Sequence, residues 1–429
     1  MKGFLRAVFE YCIALVALPV LAAFAIFAMR RKKSDLVWGA EALINYKYWS
    51  RALDSPQRRA YSLIEQMSGK LFSRTDFDMA YEDLAPNWIS DAWLWQFFQH
   101  YAAAVYIFRH AAVYHCSFSG GPLRATRLRW LEAQLYALAN VKTIVVPFGG
   151  DFWRYSKILD SAMRHAMLIN YATLGRVENE VNRRVEYWTY AADIVVGTIA
   201  TDGLGRWDTL TTNPITIDVE AWPRRESWSD ARGDDAPVTI VHAPNHRGIK
   251  GTEFFLAALD ALREKGLAFK LVLLEGVPNA EVLQQLRSAD ICLEQCATGM
   301  GYGLFAIESM ACGAPVVGCL EDPYRLNLHR QYSYLNECPV VSSDVDHLEA
   351  TLERLIRDPQ LRMTLGAAGR AFVEKYHGDN AARYFFGLIH RKLLEQPDLD
   401  IMSPFHPVLS PFVIGKPRIP LPMKRNRLY

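Results

Sequence analysis

From Val238 onward, short β-rich runs alternate with amphipathic helical segments in a pattern that fits one kind of topology. Val238–His242, Phe269–Leu274, Ile291–Leu293 and Pro315–Cys319 read as strands, and Thr252–Lys265, Asn279–Arg287 and Leu304–Ala311 read as the helices between them. Neighbouring strands joined through helices run parallel, because a parallel connection needs a crossover of a dozen or more residues. Helices then cover both faces of the sheet, so the expected class is α/β with a doubly wound parallel sheet. Asp346–Arg357, Leu361–Tyr376 and Ala381–Glu395 continue the chain as helices.

The first half repeats the theme. Asp35–Trp38 reads as a strand ending at Gly39, Tyr46–Leu53 as a helix and Ala60–Ile64 as a second strand, the opening of a doubly wound domain. His110–Tyr114, Lys142–Pro147 and Ala192–Val196 read as further strands, with an amphipathic segment over Leu123–Leu138. Between the halves, Asn213-Pro214, Trp222-Pro223 and a charged run ending at Pro237 mark a linker. At 429 residues the chain suits two domains of similar size. The expected division is a membrane segment over 1–33, a first Rossmann-like domain over 34–212, a linker over 213–236, a second α/β domain over 237–400 and a Pro-rich basic tail over 401–429.

Tyr11 to Met29 carries no charge and consists almost entirely of Ala, Leu, Ile, Val and Phe. At ~1.5 Å per residue it spans roughly 28 Å, close to the hydrocarbon thickness of a bilayer. Arg30-Arg31-Lys32-Lys33 follows it directly and outweighs Lys2 and Arg6 before it. The run is longer than the apolar stretch of an ordinary signal peptide, so a transmembrane helix is expected, with everything after it cytoplasmic. The tail holds six prolines after Asp400, no acidic residue, and Lys416, Arg418, Lys424, Arg425 and Arg427. It suits either an anionic membrane surface or a strap packed over the domains.

With 48 basic against 46 acidic residues, the chain lacks the cationic bias of a nucleic-acid binder. Its seven cysteines are scattered; Cys292 and Cys296 lie four apart without a second pair at zinc-site spacing, so reduced thiols are expected and no metal site.

Two segments carry the chemistry. In Val241-His-Ala-Pro-Asn-His-Arg247-Gly-Ile-Lys250-Gly251-Thr252, a strand ends in a loop holding two cations, and Thr252 is placed to cap the next helix with Glu253 in its first turn. Cations beside a helix start suit a pyrophosphate, and Arg247 and Lys250 would neutralise charge on a diphosphate leaving group. In Gly301-Tyr302-Gly303-Leu304-Phe-Ala-Ile-Glu308, a glycine turn opens an apolar helix bearing one carboxylate. A carboxylate among Phe305, Ile307 and Met310 calls for hydroxyl donors or a cation, and the amides of Gly303 and Leu304 offer a second phosphate cradle. Tyr302 and Glu275 complete the donor-side candidates. On the other half, Asp151 and His115 follow strands and so face the ligand crevice, as candidates to orient or deprotonate an acceptor hydroxyl. A turn-capping Asp151 and a hydrogen-bonded structural His115 are the alternatives.

Pro237 to Gly378 resembles the nucleotide-sugar domain of the family 4 (group 1) glycosyltransferases. The resemblance is carried by Lys250-Gly251 opening a helix, Ala289-Asp290-Ile291 before a loop, and Gly303…Glu308…Gly313-Ala-Pro315-Val. It implies a GT-B fold, two Rossmann-like domains facing a cleft, with a nucleotide-sugar donor in that cleft and no metal or other cofactor. It also implies that Lys250 and a nearby Arg hold the donor diphosphate, that Glu308 holds the ribose, and that transfer retains anomeric configuration. The sequence departs from the family at Met300, where a sugar-contacting glutamate is usual, and at Asn245, where the arginine usually stands; Glu294 is a nearby carboxylate on the same loop. The expected function is a membrane-anchored glycosyltransferase acting on a lipid-linked or membrane-proximal glycan acceptor in cell-surface polysaccharide or glycoconjugate assembly. A sugar-nucleotide epimerase of the same architecture and a non-catalytic nucleotide-sugar-binding scaffold are the alternatives.

Overall fold

The computed structural model describes residues 2–65, 73–86, 92–199 and 202–428. The first body comprises α1 (Lys2–Met29), β1 (Asp35–Trp38), α2 (Ile44–Leu53), β2 (Ala60–Ile64), β3 (Met79–Ala80), α3 (Ala92–His110), β4 (Ala111–Cys116) and α4 (Glu132–Leu138). It continues through β5 (Lys142–Val145), α5 (Ser161–Asn170), α6 (Ala172–Arg176), α7 (Glu178–Ala191), β6 (Ile194–Gly197) and β7 (Thr209–Leu210). Its described strands form one parallel sheet in the order β3-β2-β1-β4-β5-β6-β7. The chain steps outward from β1, then returns to lay β4 on the other side of it. That reversal opens a crevice at the strand C-termini.

The second body holds β8 (Val238–His242), α8 (Arg247–Lys250), α9 (Thr252–Glu264), β9 (Phe269–Leu273), α10 (Asn279–Leu286), β10 (Ile291–Gln295), α11 (Leu304–Ala311) and β11 (Val316–Gly318). After these come α12 (Leu326–Tyr332), β12 (Val341–Ser342), α13 (Leu348–Arg357), α14 (Pro359–Tyr376), α15 (Asp379–Leu394) and α16 (Pro411–Ile414). The sheet order is β12-β11-β10-β8-β9, again parallel throughout. Here the reversal falls between β8 and β10. The expected pair of Rossmann-like domains is what the chain builds. The amphipathic stretch foreseen over Leu123–Leu138 is instead two 3-10 turns, Pro122–Ala125 and Arg129–Leu131, followed by the shorter α4.

Three segments tie the bodies together. α15 crosses back to α2 of the first body: Phe386 packs on Trp49 at 5.2 Å between ring centroids, and Arg383 Nε donates to the Ala52 carbonyl at 2.7 Å. The linker lies against the second body, where Trp228 Nε1 donates to the Gly313 carbonyl at 2.8 Å. The tail is a strap. The Leu210 amide donates to the Met402 carbonyl, Phe405 is buried beside Tyr334 and Phe385, and the Ser342 amide donates to the Asn426 carbonyl.

α1 is the one helix among the described residues long and apolar enough to cross a membrane, by its stretch Ala7–Met29. It does not stand away from the domain. Ala14, Leu21, Ala25 and Ala28 are buried in the same core cluster as Ala103, Ala104 and Ile107 of α3.

Candidate functional site

Between the two bodies lies a cavity of about 360 Å³, walled by Asn45, Trp49, Phe148 and Trp153 from the first body and by Lys250, Glu294 and the 300–303 loop from the second. The bodies touch around it. A Cβ on Gly248 would fall on the Asn170 side chain of α5, and one on Gly301 would fall on Ile199. The second wall is built at the β8–β10 reversal, where a doubly wound sheet places its ligands.

Arg247 and Lys250 begin and end the single turn of α8. Gly251 follows in the left-handed region, at φ 71°, and a Cβ there would meet Cys296 Sγ at 2.7 Å, so both the turn and the fit require glycine. Thr252 does not cap α9 as expected: its hydroxyl pairs with His242 Nε2 at 2.8 Å, and Gly251 holds the cap position. Burial holds His242 at about pKa 4, so the ring is neutral at physiological pH.

Both cations are engaged by carboxylates. Arg247 bonds Glu253 at 2.9 Å and Glu275 at 2.7 Å, at the solvent edge. Lys250 Nζ donates to Glu294 Oε1 at 2.6 Å, and the Glu294 side chain is 2% exposed with Oε2 lacking a protein partner. Glu275 thus orients Arg247 at the rim rather than standing free. Glu294 is a cleft-wall residue to which only its presence near the 300–303 loop drew attention in the sequence.

Glu308 lies on α11, and burial raises its carboxyl to about pKa 8, offset in part by a hydrogen bond with Asn279 and reinforced by the Glu294 charge. No salt bridge to Glu308 occurs among the described residues. At neutral pH it is therefore mostly a neutral acid, able both to donate and to accept a hydrogen bond. Gly303 caps α11, and the amide of Leu304 follows at the helix start. The Tyr302 side chain points away from the cavity: its hydroxyl lies 3.1 Å from His377 Nε2, and its carbonyl accepts from Asn213 Nδ2 at 2.8 Å.

The two acceptor-side candidates are placed differently from the cations. Asp151 is buried, and its oxygens accept from the amides of Phe118 at 3.0 Å, Phe148 at 3.2 Å and Gly149 at 2.8 Å. It binds two loops together, while burial lifts its carboxyl to about pKa 7. His115 is fully buried and stacked on Trp38, with Nδ1 3.1 Å from the Val37 carbonyl and Nε2 2.8 Å from His390 Nε2. Neither ring nitrogen faces the cavity. Met300 packs on the core of the first body, and Asn245 stands on the cavity wall.

Two Rossmann-like domains closing on a cleft, with the cationic turn and the α11 start on one wall, make the GT-B architecture. Residues 247–385, within the second body, match the family model described as "Glycosyl transferase-like". No curated protein matches the sequence. Among solved structures, Anabaena HepE in complex with UDP-glucose is 12% identical, with TM-score 0.47 over 82% of this chain and 97% of that one. A glycosyltransferase from Rickettsia africae is 11% identical, with TM-score 0.47 over 85% and 100%. The UDP-GlcNAc 2-epimerase of Methanocaldococcus jannaschii is 10% identical, with TM-score 0.35 over 80% and 99%.

Proposed function

We propose that the protein transfers a sugar from a nucleotide-sugar held in the interdomain cleft to a lipid-linked or membrane-proximal glycan acceptor, with retention of configuration. The observation that carries the reading is the placement of Lys250, at the β8–β10 reversal, on the cleft wall opposite the first body. In this reading Lys250 and Arg247 exchange their carboxylate partners for the donor diphosphate. Their charge then stabilises the nucleoside diphosphate as it leaves. Glu308 receives hydroxyls of the donor, and the amides of Gly303 and Leu304 face its phosphates. With two cations on the leaving group, no metal is required. The acceptor enters from the first body, which carries the apolar α1. Retention follows from the family resemblance alone.

Thermal shift against a panel of UDP-, GDP-, ADP- and dTDP-sugars identifies the donor, since a ligand bound only by the folded state raises its stability. Turnover with that donor and a membrane lipid extract is expected to yield a glycosylated lipid and free nucleoside diphosphate. An epimerised free nucleotide-sugar would establish the epimerase instead, and tight donor binding without turnover the scaffold.

A further inference from the structure

α1 presents two faces with different fates. The inner one, with Ala14, Leu21, Ala25 and Ala28, is buried against α3 and α4. The helix is also fastened at both ends. Glu10 bonds Arg127 at 2.7 Å, with the Arg127 guanidinium over the Tyr11 ring, and the Lys33 ammonium donates to the Ala139 carbonyl. The outer face is apolar and bare: Val16 is 69% exposed and Phe27, three turns on, is 80% exposed, with Val20 and Ile26 between them. Exposed Arg30, Arg31 and Lys32 border this face at one end; at the other, Arg127 and Arg129 are paired with Glu10 and Glu180.

A helix that crosses a bilayer alone gives all its faces to lipid. For α1 that would strip the cover from α3 and α4 and break both fastenings. Left docked, its outer face is an apolar patch of a kind that soluble proteins rarely leave open to water. A basic cluster at the end of an apolar face matches the anionic headgroups that border an apolar interior. We propose that α1 stays docked on α3 and lies in the plane of an anionic membrane, its outer face immersed in one leaflet and the folded body resting on it. This builds on the membrane part of the proposed function and replaces a crossing helix with a shallow one. The first body, which would receive the acceptor, is then held at the lipid surface.

The full-length chain carrying Cys12→Ser, Phe9→Cys and Phe97→Cys allows α1 to be fastened to α3 by a short bismaleimide, since the Phe9 and Phe97 rings lie 5.4 Å apart. Flotation is measured with vesicles of phosphatidylcholine and phosphatidylglycerol at about 7:3, and with phosphatidylcholine alone. The fastened protein is expected to float as well as the unfastened one. Flotation should weaken on pure phosphatidylcholine, and Val16→Glu with Phe27→Glu should lower partitioning by about tenfold or more without lowering the melting temperature. Protease added outside the vesicles should reach tags at both ends of the chain. Loss of flotation on fastening, or a protected N-terminal tag, overturns the in-plane arrangement while leaving membrane attachment intact. Failure of every form to float overturns both, as does a dimer in lipid-free solution that the two glutamates dissociate. Transferase activity on soluble donor is read separately, so its failure is distinguishable from either.

Discussion

Lys250 Nζ sits 2.6 Å from Glu294 Oε1, so the cation proposed to receive the donor diphosphate is already paired in the cleft. The carboxylate is buried and the ammonium mostly covered, which makes the pair sensitive to removal of either member. Lys250→Ala leaves an unpaired buried charge, with an expected loss of about 3–5 kcal/mol in stability. Its rate should fall by roughly thirty to a thousandfold. Adding Glu294→Gln should restore the stability without restoring turnover. Denaturation midpoints and turnover of the two variants check this; near-normal turnover of folded Lys250→Ala would remove the residue from the site.

Glu308 gives a pH-dependent prediction. Its carboxyl is raised by burial to about pKa 8 from an ordinary 4.5. A raised folded value means that the protonated form is the stable one. The contribution is fully present below about pH 4.5 and is lost as pH rises through 8. Glu308→Gln keeps the shape without the charge, so it should melt higher than the parent at pH 8.5, by on the order of 3 kcal/mol, and near the parent at pH 5. Donor affinity should fall by about 1–2 kcal/mol. Melting that drops at every pH, with donor affinity intact, would mark Glu308 as a structural group.

The alternation of strands and helices was legible because helices such as α9 and α13 have one wet face and the inner strands are mostly apolar. α3 was not legible for the opposite reason. Enclosed between α1 and the sheet, it is apolar on most sides and has little periodicity to read. The two-residue strands β3, β7 and β12 are too short for any pattern. At the site, Lys250 and Glu308 stand in local motifs that point to their chemistry. The partners that qualify them are remote: Glu294 lies 44 residues from Lys250, and His390 lies 275 from His115. Position after a strand placed both Asp151 and His115 near a crevice. It carried no information about which amides or rings would occupy their polar atoms.

His115 should therefore tolerate replacement in catalysis while mattering for acid stability. Burial lowers it from 6.5 to about pKa 3, and lowers His390 as well. A depressed folded value makes the contribution present above about pH 6.5 and lost as pH falls toward 3. His115→Gln is expected to cost about 1–3 kcal/mol at neutral pH, to lose less between pH 7 and 5 than the parent, and to keep its turnover within a few fold. A hundredfold loss of turnover with unchanged melting would return His115 to the reaction.

The tail tests the strap. Phe405 is buried within an aromatic cluster, 5.3 Å from the Tyr334 ring and 5.7 Å from that of Tyr384. Lys375 Nζ, buried beside Glu337, also donates to the Pro417 carbonyl at 3.1 Å, so the tail completes a charged pair of the second body. Farther on, Asn426 Nδ2 donates to the carbonyls of Cys338 and Val340 just before β12. Basic residues of the tail are used internally as well, Arg427 being paired with Glu321. A segment held at four places along its length behaves as core, whatever its composition. Phe405→Ala is expected to cost about 3–5 kcal/mol, the range for truncating a buried aromatic ring. In contrast, Arg418→Ala and Lys424→Ala together should leave both stability and vesicle flotation unchanged. The measurement is the urea midpoint of each variant beside its flotation. A Phe405→Ala chain as stable as the parent, with flotation lost in the double alanine variant, would show that the tail serves the membrane instead.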